Sequence, residues 1–264
     1  MKTKDRVKAG AASWRMPSLA LLIVLFLIAN NIEPVLAAIA FGSASSQSGT
    51  STSLTISKPT GVAAGDLLIA QITFLGGTGL TAANLSAPSD WTQLVRTDNT
   101  TNIGQAIYYK VATATDAGAG TTSYTWTFGA TNRSASGGII RYTGVDTTNP
   151  IVASAGATGN STSVTAPSVT AEANSFLVAY FGIVSDTSLS TPSGMTSRYN
   201  VSISTGPSGN RIRSLATDEL RASAGATGSR PSTAGSSNQW VAQSVTLRVK
   251  PNTAPVYTPP ANQT

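Results

Sequence analysis

The sequence predicts an all-β protein: a two-sheet antiparallel β-sandwich, jelly-roll-like, built from two degenerate half-repeats. Three observations carry this. Charged residues make up only 11% of the 264 residues, too few for helical bundles rich in Glu, Lys and Arg, whereas Thr, Val and Gly are abundant. The run Gly65 to Phe74, GDLLIAQITF, is apolar on both strand faces and is bounded by Gly61, Gly65, Gly76 and Gly77. It reads as a central strand covered on both sides. About a hundred residues later the chain repeats itself, with NSFLVAYFG from Asn174 to Gly182.

The flanks of the two runs match as well. Thr52-Ser53-Leu54-Thr55 precedes the first and Thr162-Ser163-Val164-Thr165 the second. Pro88-Ser89-Asp90-Trp91-Thr92 follows the first and Pro192-Ser193-Gly194-Met195-Thr196 the second. Each half closes on a further strand, at Gly138-Ile139-Ile140-Arg141-Tyr142 and Gln243-Ser244-Val245-Thr246-Leu247.

Taken in order, residues 1–40 read as a signal peptide. A basic segment ends near Pro17, and Ser18 to Ala29 (SLALLIVLFLIA) is an apolar stretch too short to span a bilayer comfortably. Small residues follow, and cleavage after Ala37, Ala38 or Ala40 satisfies the small-residue rule; an uncleaved anchor is the alternative. Residues 41–49, rich in Ser, Gly and Ala, read as a flexible leader. The sandwich is expected over 50–250, with half-repeats at about 50–152 and 160–250.

Strands are expected near 51–57, 66–74, 91–96, 103–112, 121–128 and 137–143 in the first half. In the second they are expected near 162–169, 175–184, 195–203, 210–220 and 239–249. Ser123-Tyr124-Thr125-Trp126-Thr127-Phe128 alternates aromatics with hydroxyls, as a half-buried strand does. Thr113 to Gly120 reads as a loop tip, as do the Ser/Gly-rich stretches Ser204 to Asn210 and Ser223 to Asn238. The expected core comprises Leu68, Ala70, Ile72, Ile107, Tyr109, Trp126, Ile140, Val178 and Val245. Residues 251–264, PNTAPVYTPPANQT, read as a Pro-rich linker leading to further extracellular domains.

Composition narrows the chemistry. The chain has neither Cys nor His, so it has no disulfide framework, no thiolate, no imidazole base and no Cys or His metal ligand. The formal charge of +6 overstates the folded part. Removing the five basic and two acidic residues of the first 40 leaves twelve and nine, a net of +3. That balance gives no argument for nucleic acid.

The elements GDLLIAQITF, the Pro88-to-Trp91 turn with Thr92-Gln93-Leu94-Val95-Arg96, AIYYKVATATDAG, SYTWTF and SGGIIRYTGVDTTNPI resemble a recurrent β-sandwich module. That module occurs in bacterial secreted and cell-surface proteins and in phage structural proteins. The resemblance implies a jelly-roll, lectin-like domain beside other extracellular repeats, and it brings no catalytic motif with it.

Candidate sites are few. Trp91, Tyr108, Tyr109, Tyr124, Trp126 and Trp240 would make a sugar-stacking platform or, more simply, fill the core. Trp91, just after a turn, and Tyr108, opposite Ile107 and Tyr109, are the two expected to face a ligand. Asp90, Asp98, Asp116, Asp146 and Asp186 fall near turns, where Asx-turns explain them without calcium, since no ligand motif surrounds them. Asp66 is expected to cap the turn before its strand. Asp218 and Glu219 are adjacent and point to opposite faces of a strand, so they are no glycosidase pair. Arg211, Arg213, Arg221 and Arg230 form either a basic patch or pairs with acids such as Asp218 and Glu219.

The expectation is therefore a secreted or cell-surface adhesion module without catalysis or cofactor, contacting glycan or another surface protein and leaving the membrane after signal cleavage. A purely structural spacer is the alternative, and a glycoside-active enzyme the less favoured one.

Overall fold

A computed structural model describes residues 38–204 and 207–252. The signal segment up to residue 37 and the tail from 253 lie outside the described residues. The first half contributes β1 (Ala40–Ser51), β2 (Ser53–Ser57), β3 (Leu67–Leu75), β4 (Thr92–Asn99) and β5 (Ile103–Val111). A single-turn helix α1 (Ala114–Ala117) follows, then β6 (Ser123–Thr127) and β7 (Arg133–Thr143). The second half gives β8 (Ile151–Ala166), β9 (Thr170–Ala171), β10 (Ser175–Ile183) and β11 (Thr196–Ile203). It ends with β12 (Ile212–Arg221), β13 (Gly225–Ala226) and β14 (Arg230–Leu247).

These strands make an all-β sandwich whose two five-stranded sheets are antiparallel throughout. One sheet is ordered β1-β7-β3-β5-β4 and the other β8-β14-β10-β12-β11, and the pairs β2-β6 and β9-β13 are separate two-stranded sheets. The seven strands of each half thus occupy the same places in the same order.

Local irregularities fall at matching places too. The register slips between Gln93 and Val95 in β4 and between Ser197 and Tyr199 in β11, leaving Leu94 and Arg198 as bulge residues. It slips again between Phe41 and Ser43 in β1 and opposite Val152 in β8. Positive φ appears at Gly65 (91°) and Asn174 (60°) before the central strands, and at Asp90 (68°) and Gly194 (80°) in the turns before β4 and β11.

The apolar run behaves as its composition demands. Leu67 and Ile69 in β3 face the opposite sheet with Ile107, Ile140 and Tyr142, meeting Val178, Tyr180, Ala216, Val245 and Leu247. Leu68, Ala70 and Ile72 face the other way, where β2 and β6 cover them with Leu54, Ile56, Tyr124 and Trp126. The outer face of the second sheet packs Ala179, Phe181 and Ile183 against Val164, Leu189 and Trp240. Burial on both faces is why these strands read as unbroken apolar runs. Contacts between the sheets are reciprocal: β1 meets β11, and β4 meets β8. This is the pattern of a two-fold interface.

Two expectations need correction. Residues 41–49 are no flexible leader. They belong to β1, paired with β7 from Ala40↔Thr143 to Ser51↔Arg133, and Ile39 just before it is buried. An edge strand takes its order from the backbone ladder, so its Ser/Gly/Ala side chains carry no apolar alternation. Likewise residues 230–238, expected as loop, form the first part of β14.

Candidate functional site

Trp91 and Tyr108 are not a surface platform. Trp91 is 8% exposed and sits edge-on to Tyr124 at 5.1 Å and Trp126 at 5.2 Å. Tyr108 is 2% exposed, and its hydroxyl donates to Gln93 Oε1 at 3.2 Å. Burial pushes that phenol up to about 12, against the lowering pull of Arg96. Trp91, just after the turn at Asp90, and Tyr108, on the face of β5 shared with Ala106, both belong to the core cluster that β2 and β6 cover. A sugar has no open ring face to stack on there.

Beside this aromatic cluster lies a buried ion pair. Lys110 Nζ is 2.8 Å from Asp116 Oδ1, and both residues are under a tenth exposed. Asp116 also accepts from the Tyr124 hydroxyl at 2.8 Å and from the Thr113 amide and hydroxyl at 2.8 Å, closing a capping box on α1. Burial alone would raise the Asp116 carboxyl, but Lys110, Thr113 and Tyr124 together hold it well below the usual carboxylate range. A carboxylate so firmly ionised is a poor proton donor. The cluster pins α1 to β5 and β6.

A second buried carboxylate, Asp218, is 1% exposed. It accepts from Arg198 Nε at 2.8 Å and from the Tyr142 hydroxyl at 2.7 Å, and the Arg198 guanidinium lies 3.9 Å from the centre of the Phe41 ring. Arg198 is the bulge residue of β11, so the bulge aims it back over the sheet. Between the sheets runs a chain of amides. Tyr199 donates to Gln71 (2.9 Å), Gln71 to Gln105 (2.7 Å), Gln105 to Gln243 (2.9 Å) and Gln243 to Thr97 (2.9 Å). The three glutamines are wholly buried, so this chain registers the sheets and reaches no ligand.

The remaining acids are also engaged. Asp66 accepts the Ala63 amide, capping its turn as expected, and pairs with Arg141. Asp98 pairs with Arg96, Glu172 with Arg248 and Asp186 with Arg211. Glu219 takes both Arg221 and Arg230, whereas Asp218 on the opposite face takes Arg198. Asp146 forms an Asx-turn with the amides of Thr148 and Asn149. Among the described residues, Asp90 alone lacks an ion pair or hydrogen bond, and no three acidic side chains gather as a metal site would require. The four arginines of the supposed basic patch are spent on Asp186, Asn200 and Glu219.

What sequence reading missed is a polar cleft at one end of the sheets, with a volume of ≈ 240 Å³. Its walls come from the end of β1 (Thr50), the end of β3 (Leu75, Gly76), the start of β7 (Asn132, Arg133, Ser134) and the turn before β12 (Asn210). The only sequence trace of it is Asn132-Arg133, an arginine with no acid near it in the chain. Comparison with known protein families, curated proteins and solved structures finds no match.

Proposed function

We propose that the chain is a non-catalytic extracellular surface module, an adhesion-type bead whose exposed sheet ends contact carbohydrate or another protein. One observation carries this reading: the chemistry of the described body is turned inward. Every described carboxylate but Asp90 is tied to a cation, hydroxyl or backbone amide, and most are part-buried or deeper. Carboxylate catalysis needs two such groups converging on open space.

The matching strand order favours reading the two halves as an internal repeat, and the resemblance to secreted, lectin-like sandwich modules points the same way. With the apolar segment of residues 18–29, it favours export. A second reading, a passive spacer, is supported by the Pro-rich composition of 251–264.

The test presents the purified protein to a glycan array, to intact cells and to polysaccharide substrates. Saturable binding without turnover is the expected result. Polysaccharide cleavage abolished by one Asp or Glu substitution would overturn the non-catalytic reading, and absence of any binding would leave the spacer.

A further inference from the structure

Among the described residues, the end cleft holds the one arginine with neither a carboxylate nor a side-chain amide partner, although an unpartnered Nε is a feature it shares with Arg221 and Arg230. Among the described residues, Arg96, Arg141, Arg198, Arg211, Arg221, Arg230 and Arg248 each pair with a carboxylate, and Arg213 bonds Asn200 at 2.7 Å. Arg133 has neither. Its contacts are two carbonyls, Leu75 O and Gly79 O, both at 3.5 Å, the outer limit of a hydrogen bond, and its Nε is buried without a partner. A buried Nε–H without an acceptor is costly, and the half-buried Arg133 leaves the rest of its fork short of good acceptors at the cleft.

The cleft is shaped around that side chain. Gly76 has φ 112°, and a Cβ there would collide with the Arg133 guanidinium. Asn132 and Asn210 are exposed and line the same space. Neither side-chain amide has a hydrogen-bond partner among the described residues. Thr50 and Ser134 hydroxyls, 2.9 Å apart, complete the polar wall. The second half does not repeat the feature: Arg133 pairs with Ser51 as Asn238 pairs with Ser161, and Asn238 bonds Ser236 instead. A feature confined to one half is not explained by what the shared fold requires.

We propose that this cleft binds a carboxylate-bearing sugar, with the planar fork of Arg133 taking the carboxylate and the amides of Asn132 and Asn210 taking ring hydroxyls. This rests on the surface-module reading and names its ligand class. At ≈ 240 Å³ the cleft is below the ~300 Å³ floor of sites for drug-sized ligands, so it suits one terminal sugar residue.

Calorimetry on the full chain tests this with three probes: a glucuronate-terminated oligosaccharide, its methyl ester and the glucose-terminated counterpart. The acid should bind at least about tenfold tighter than either neutral form. Arg133→Gln should abolish that preference with the melting temperature held, and Arg133→Lys should weaken binding despite keeping the charge, because the fork is lost. Equal binding of acid and ester, full binding by Arg133→Gln, or equal competition by inorganic sulfate would each overturn the proposal. If other glycans or cells bind while Arg133→Gln has no effect, the cleft assignment falls and the surface module stands. If nothing binds at all, both fall.

Discussion

Tyr142 in β7 donates its hydroxyl to Asp218 in β12 at 2.7 Å, tying one sheet to the other through a carboxylate that is 1% exposed. Burial pushes the Tyr142 phenol well above its usual range, and the Asp218 charge adds to it. The carboxylate is tolerable there because Arg198 neutralises it, and Phe41 in turn covers Arg198. Four strands, β1, β7, β11 and β12, meet in this one contact.

Asp218→Ala should therefore cost about 3–5 kcal/mol, because it strands the guanidinium of Arg198. Tyr142→Phe should cost less, about 1–2 kcal/mol, since Arg198 still holds the carboxylate. Urea unfolding of both single variants and the double variant checks this. A double variant no worse than Asp218→Ala would show that Tyr142 acts through Asp218; simple additivity would refute the coupling.

The interior amide chain predicts a similar sensitivity. Gln105→Leu removes the acceptor of Gln71 and the donor to Gln243 at once. With both neighbours buried, about 2–4 kcal/mol should be lost, although the new side chain is apolar. A neutral or stabilising result in urea unfolding would mean that the chain is dispensable for sheet registry.

Stability should form a plateau in pH with two edges. The Asp116 carboxyl is depressed in the fold, so its contribution is complete above about pH 4–5 and is lost as the pH falls below that. The phenols of Tyr142, Tyr180 and Tyr199 are raised, chiefly by burial, so their contribution is complete below about pH 9–10 and is lost as the pH climbs past it. With no His in the chain, little titrates between the two edges. Urea midpoints from pH 3 to 11 should trace this, and Asp116→Asn should flatten the acid edge. Tyrosinate absorbance before unfolding that exceeds what half-buried Tyr109 and Tyr257, the latter outside the described residues, can supply would contradict the burial of these phenols.

Trp91 is now a core residue, and its substitution tests fold and not binding. Trp91→Ala should cost about 3–5 kcal/mol by opening a cavity between Tyr124 and Trp126. A folded variant of unchanged melting temperature would argue against the packed ring.

How much of this was legible follows from where the information sits. The central strands announced themselves because Leu67 to Phe74 and Leu177 to Ile183 are apolar on both faces. Asp66 as a cap, Asp146 as an Asx-turn and the opposed faces of Asp218 and Glu219 followed from local rules that tertiary contacts did not override. Strand β1 and the first part of β14 stayed hidden because a Ser/Gly-rich strand is stabilised by its ladder, and a ladder partner is not visible in local sequence. Trp91 misled because a position after a turn looks exposed until the turn folds inward. Arg133 was silent because its distinction is the absence of a partner, which only the assembled sheets reveal.

On the proposal that the N-terminal segment is a cleaved export signal, the fold bears on where it is cut. Small residues permit cleavage after Ala37, Ala38 or Ala40, but the fold does not treat these alike. Ile39 is 4% exposed and belongs to the core between the sheets, and a Cβ on Gly144 would collide with the Ala38 carbonyl, so the backbone there is closely packed. Cleavage after Ala40 would strip Ile39 from that core, a loss of about 2–5 kcal/mol by analogy with large-to-small substitutions. Cleavage after Ala38 would place a new ammonium on the buried Ile39. Cleavage after Ala37 leaves both residues in place and puts the new terminus on exposed Ala38. Mass spectrometry of the exported protein should accordingly find Ala38 as its first residue. A terminus at Phe41 would show that Ile39 is dispensable to the core, and an intact Met1 would remove the cleaved signal altogether.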